Sequence, residues 1–115
     1  MQRYTSDMSN PMPIADPVLG RFRQALDEAY GARVQRVVLF GSRARGDARS
    51  DSDYDVAVFL HGFASRDAEV DRLAVVQPRV MDETEAFVHA MPFAAGAWAE
   101  RTPLMHEIRA EGHDL

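Results

Sequence analysis

Gly41-Ser42-Arg43-Ala44-Arg45-Gly46-Asp47-Ala48-Arg49-Ser50-Asp51-Ser52-Asp53-Tyr54-Asp55-Val56-Ala57-Val58 is the stretch whose reading decides how this chain folds. The residues before it, 34–40, form a short valine-rich run consistent with a buried strand. Gly41 and Ser42 end that strand sharply, 43–45 fit one helical turn before Gly46, and 47–52 form a polar loop. A second strand is predicted over 53–60, closed by His61 and Gly62.

Three parts of this stretch make separate chemical sense. At Gly41 the missing Cβ lets a phosphate approach the backbone closely. Amides of the following turn would point at that phosphate, and the Ser42 hydroxyl could donate another hydrogen bond. Arg43, Arg45 and Arg49 can neutralise anionic charge nearby. Asp53 and Asp55 are two apart on the predicted strand, so their side chains project from one face. Paired carboxylates repel unless a cation or proton intervenes. Mg²⁺ takes one or two carboxylates plus phosphate oxygens. A phosphate cradle followed by such a pair, with ten residues between Ser42 and Asp53, is what metal-assisted phosphoryl or nucleotidyl transfer requires. Taken singly, Gly-Ser is usually a turn, Asp-x-Asp a solvated strand end and the arginines surface charge. Together, at this spacing, they favour the functional reading.

Upstream, Asp16 and Pro17 give a helix cap and first residue, and Val18, Leu19, Phe22, Leu26, Ala29 and Tyr30 repeat at helical spacing before Gly31. Residues 1–15, with Pro11 and Pro13, read as a loose tail, leaving 16–115 as one domain. Downstream, Ser65 caps a helix carrying Val70, Leu73, Ala74 and Gln77, which Pro78 should kink or end. A third strand is expected over 86–93, and Thr102 and Pro103 open a last helix with Leu104, Met105 and Ile108 that closes at Gly112. The order α-β-β-α-β-α implies an α/β chain of the α+β kind, a short mixed sheet covered by helices.

With 115 residues, 46% hydrophobic and 27% charged, the composition is that of a globular domain. No apolar run spans a bilayer and no secretion signal opens the chain, so a cytoplasmic protein without membrane contact is expected. A net charge of −5 argues against broad nucleic-acid adhesion. There is no cysteine, which excludes disulfides and thiolate zinc sites. All 13 basic side chains are arginine, and without lysine neither a Walker-type phosphate loop nor a Schiff base can form.

Gly41-Ser42, then Ala44-Arg45-Gly46, then Ser52-Asp53-x-Asp55 together resemble the signature of the DNA polymerase β-like nucleotidyltransferase superfamily, and in particular its minimal (MNT-type) branch. The likeness extends more weakly over 17–112, including Thr102-Pro103-Leu104 and Ile108-Arg109-x-Glu111-Gly112. It implies a nucleotidyltransferase fold, with Gly41 and Ser42 as triphosphate contacts and Arg43 and Arg45 beside them. Asp53 and Asp55 would be metal ligands and catalytic residues, with Mg²⁺ and ATP or another nucleoside triphosphate as cofactor and substrate. Many proteins of this branch resemble the antitoxin of HEPN/MNT pairs, so the implied activity is AMP transfer onto a HEPN-type toxin protein. Assembly into a homo-oligomer is left open.

The likeness departs from the pattern in one place. Active members usually carry a third carboxylate on a later strand, and 86–93 holds none. His89 could serve there as base or ligand, or be an ordinary strand histidine with a hydrogen-bond partner. Glu83 and Glu85 read as a solvated helix end. The competing function is therefore a catalytically weak or inactive binding module that neutralises its partner by complex formation. Phe93 and Trp98 suit either an adenine shelf or a core. His61, His106 and His113 read as surface residues, and Asp47 and Asp51 as residues that shape the loop.

Overall fold

The protein is described from a computed structural model covering residues 16–49 and 52–115. The tail expected over 1–15, together with Ser50 and Asp51, lies outside the described residues.

Helix α1 spans Pro17–Tyr30. The Asp16 carboxylate accepts from the amides of Val18 at 2.8 Å and Leu19 at 3.4 Å, which satisfies two donors the first turn cannot use. Leu19, Phe22, Ala25, Leu26 and Tyr30 form its buried stripe, while Ala29 faces outward and Val18 is half-buried. A 3₁₀ turn, Gly31–Arg33, leads into strand β1, Val34–Phe40. One helical turn, α2, Ser42–Arg45, connects it through the loop to β2, Tyr54–Leu60. Helix α3 is Arg66–Thr84, β3 is Val88–Ala94, a second 3₁₀ turn is Ala95–Ala99, and α4 is Pro103–Glu111. A two-residue strand, β4, His113–Asp114, ends the order.

The sheet runs β3-β2-β1-β4. β1 is antiparallel to β2 and β4, whereas β2 and β3 are parallel, so the sheet is mixed as expected. Alternation along the strands feeds two cores. Val37, Leu39, Val56, Val58 and Leu60 pack under α1 and α3 with Phe22, Leu26, Leu73, Val76 and Val80. Val38, Phe40, Ala57 and Phe59 pack on the other face against Ala97, Met105 and Ile108.

Three expectations are corrected. Pro78 does not end α3, which runs on to Thr84. An internal proline loses a helical hydrogen bond at a cost of about 3 kcal/mol, but both halves of α3 are tied down. Val76 and Val80 are buried around it, the Gln77 side-chain amide donates to the Val88 carbonyl at 2.7 Å, and Arg79 pairs with Glu28 at 3.1 Å. The buried face is also displaced: Glu69, Leu73, Val76 and Val80 point inward, and Val70 is exposed. Glu69 is buried because Arg33 pairs with it. β3 begins two residues later than expected and tolerates Pro92 as an edge strand, where a missing N–H leaves no ladder bond unmade. Among the described residues, no helix is long and apolar enough to cross a membrane.

Candidate active site

The bend after β1 and the start of β2 meet at one end of the sheet, because antiparallel pairing sets Phe40 opposite Asp55. Gly41 adopts φ 79° and ψ −157°, a region L side chains avoid. A Cβ built there would lie 2.5 Å from Asp55 Oδ2, so only glycine lets the chain turn directly against that carboxylate. The turn itself is closed by the Gly41 carbonyl, which accepts from Ala44 and Arg45 amides at 3.1 Å. Gly46 at φ 83° ends it. The Ser42 side chain is half-buried in this bend. The bend and Asp55 therefore share one place, as the sequence pattern requires.

Asp53 is exposed and stands one residue ahead of β2, so it precedes rather than opens the strand. Asp55 lies inside the strand with its side chain 35% exposed. Parallel pairing places His89 of β3 level with Asp55, and its Nδ1 lies 3.5 Å from Asp55 Oδ1. The imidazole is more than half exposed and stands beside Asp55 rather than in the core.

The arginines hold the loop. Arg43 donates through Nε and Nη2 to the Ser52 carbonyl at 3.0 and 2.8 Å, and its guanidinium lies 3.9 Å above the Tyr54 ring. Tyr54 in turn donates to Asp16 Oδ2 at 2.8 Å, and burial together with that bond holds its phenol above the usual range. Arg45 pairs with Asp47 at 3.3 Å and with Glu111 at 3.0 Å, the Asp47 bond first among the causes that raise its pKa.

Two residues given no role in the sequence reach this site from the end of the chain. Glu111 Oε1 accepts from the Gly41 amide at 3.2 Å as well as from Arg45. His113 is half-buried rather than a surface residue, and its Nε2 lies 3.0 Å from the Ala44 carbonyl. A carboxylate in a helix's last turn opposes the helix dipole, and that local conflict was the available signal for Glu111. His113 carried none. Phe93 and Trp98 are partly buried and pack against the smaller core: Phe93 stacks on Phe59 with centroids 5.3 Å apart and Trp98 meets Phe59 edge-on at 5.6 Å.

The donor set suits a hard divalent ion. Asp55 offers a carboxylate beside a backbone that a phosphate can approach, and Asp53 stands exposed one residue ahead of the strand. Among the described residues no set of three His, Cys, Asp or Glu side chains is arranged to hold a metal.

A family model described as a nucleotidyltransferase domain matches residues 19–103, most of the chain and the whole of the 41–55 segment. The chain belongs to the nucleotidyltransferase family. A Methanocaldococcus jannaschii chain bearing the name protein adenylyltransferase is 37% identical over 43 residues, which is 37% of this chain and 43% of that relative. The nucleotidyltransferase domain thus matches less than half the length of that relative. Among solved structures, a chain of a toxin–antitoxin complex with AMP-PNP superposes with a TM-score of 0.61 at 18% identity, covering 83% of this chain and 69% of the other. A chain of a MntA–HpeT toxin–antitoxin complex carrying two substitutions gives 0.60 at 16% identity with the same coverage. A Sulfolobus solfataricus chain described as a nucleotidyltransferase gives 0.51 at 17% identity over 93% of this chain and 89% of the other. These structural likenesses establish the fold.

Proposed function

We propose that this nucleotidyltransferase domain binds ATP with Mg²⁺ and transfers AMP to a hydroxyl of a macromolecular acceptor, a HEPN-type toxin protein, whose activity it thereby neutralises. The observation that carries the reading is the contact between Gly41 and Asp55: the place where a phosphate can touch the backbone adjoins the carboxylate that would hold its metal. Gly41 and Ser42 supply the phosphate contact, with Arg43 and Arg45 as the surrounding positive charge. Asp53 and Asp55 would hold Mg²⁺, which when bound neutralises charge on the triphosphate. In the transfer, the acceptor oxygen bonds to the α-phosphorus as the bond to pyrophosphate breaks, and the hydroxyl proton leaves to solvent. The relative named as a protein adenylyltransferase and the toxin–antitoxin neighbours support this choice of acceptor.

Labelled ATP, Mg²⁺ and a co-encoded toxin provide the test. Wild-type protein should label the toxin, and an Asp53→Asn/Asp55→Asn variant should not. Equal labelling, or none by either protein, would sink the transferase reading.

A second reading is favoured by one observation. The residue level with Asp55 on β3 is His89, not a carboxylate. On this reading the domain masks its partner without turnover. The same double variant decides: full neutralisation of the toxin in cells supports masking, whereas lost neutralisation with an intact complex supports transfer.

A further inference from the structure

We infer that Glu111 is a positioning residue of the nucleotide site: from the end of α4 it latches the bend that receives the triphosphate. The inference rests on the nucleotide-binding reading above and assigns the closing segment of the chain a part in it.

One carboxylate oxygen does the latching. Glu111 Oε1 takes the Gly41 amide at 3.2 Å and Arg45 Nη1 at 3.0 Å, so the first residue of the bend and the last residue of α2 are bound to the same atom. The side chain is only 23% exposed. Glu111 is the last residue of α4, where a negative charge meets the negative end of the helix dipole. That placement is unfavourable by itself and is offset by a charge-assisted bond to Arg45 and by the Gly41 amide. The neighbouring residues bring it there. Gly112 has no Cβ because one would collide with Val38 Cγ1 and the Ile108 carbonyl, so α4 ends hard against β1. β4 then pairs His113 with Leu39, two residues before the bend, and the His113 ring reaches the Ala44 carbonyl at 3.0 Å. The segment 111–113 thus grips both ends of α2.

The latch leaves the Ser42 groups for a phosphate, and at Gly41 the close approach that a missing Cβ allows. Glu111 occupies the Gly41 amide and Arg45, while the Ser42 amide and hydroxyl have no protein partner among the described residues. Arg45 then acts through Glu111: it cancels the charge of a carboxylate that would otherwise repel an incoming triphosphate. A rival account makes Glu111 a stand-in for phosphate that nucleotide must displace, and the two differ in sign.

Calorimetric titration with a non-hydrolysable ATP analogue and Mg²⁺ tests this, with thermal melts in parallel. Glu111→Ala should weaken binding about tenfold or more, the loss expected for a hydrogen bond to a charged group. Glu111→Gln should recover most of that affinity, since its amide oxygen still accepts from Gly41. Binding by Glu111→Ala that equals or exceeds wild type overturns the latch, tighter binding pointing to the stand-in. If Glu111→Ala fails to fold, Glu111→Asp carries the test: one methylene shorter, it cannot reach Gly41 and should bind as weakly as expected of the alanine variant, and wild-type affinity there overturns the proposal. Wild-type protein that binds no analogue sinks the nucleotide reading itself, a result distinct from either.

Discussion

At the scale of single residues, chemistry was legible wherever it was local. Gly41 announces itself because a bend after an apolar run needs a residue free of Cβ, and Asp55 because it stands at the start of the strand that returns beside that bend. Asp53 stands one residue ahead of the strand and outside its alternation. Glu111 is 70 positions from Gly41, and only the folded chain brings them together. Tyr30 is a similar case. It reads as one more apolar position of α1, yet its hydroxyl is buried with no hydrogen-bond partner among the described residues, near Glu69. Burial first, then the Glu69 charge, pushes the phenol up to about 12, while Arg72 and Arg33 oppose the shift. The folded value lies above the unfolded one of about 10. The neutral phenol's contribution is therefore intact below pH about 10 and is lost as pH rises through about 12. Tyr30→Phe should leave stability near pH 7 little changed and should lose less than wild type between pH 7 and pH 11 in urea melts. An identical alkaline loss in both proteins would refute this account.

At the scale of elements, the sequence marked starts better than ends. Asp16, Ser65 and Thr102 each cap the helix expected of them, because a capping side chain acts on amides two or three residues away. Pro78 misled because its penalty is local whereas its remedy is tertiary: Val76 and Val80 lock α3 to the sheet on both sides of it. β4 was invisible, since two residues carry no period. The Pro78 penalty should still be present in the folded protein. Pro78 is exposed, so replacing it removes no core contact. Pro78→Ala should restore the missing helical hydrogen bond and stabilise the domain by about 1–3 kcal/mol. A rise in the urea midpoint would show it, and a fall would mean that the ring is needed where it stands.

At the scale of the whole molecule, the sheet divides two tasks. The face under α1 and α3 holds the larger core, and the face under α4 holds the smaller one. The first reaches the site through Tyr54 and Ala44, and the second through α4, which ends in the carboxylate that binds Gly41. Phe22 and Met105 are nearly fully buried, one in each core. Phe22→Ala should cost about 3–5 kcal/mol and Met105→Ala about 2–5 kcal/mol, from lost burial plus the cavity left behind. Their effects on nucleotide binding should differ. Removing Met105 lets α4 shift on β1 and carries Glu111 away from the bend, whereas removing Phe22 loosens α1 and leaves α4 and Glu111 in place. Titrated with ATP analogue under conditions where both variants remain folded, Met105→Ala should bind more weakly than Phe22→Ala even if Phe22→Ala is the less stable. Affinity that tracks stability alone would mean that the smaller core has no privileged link to the site.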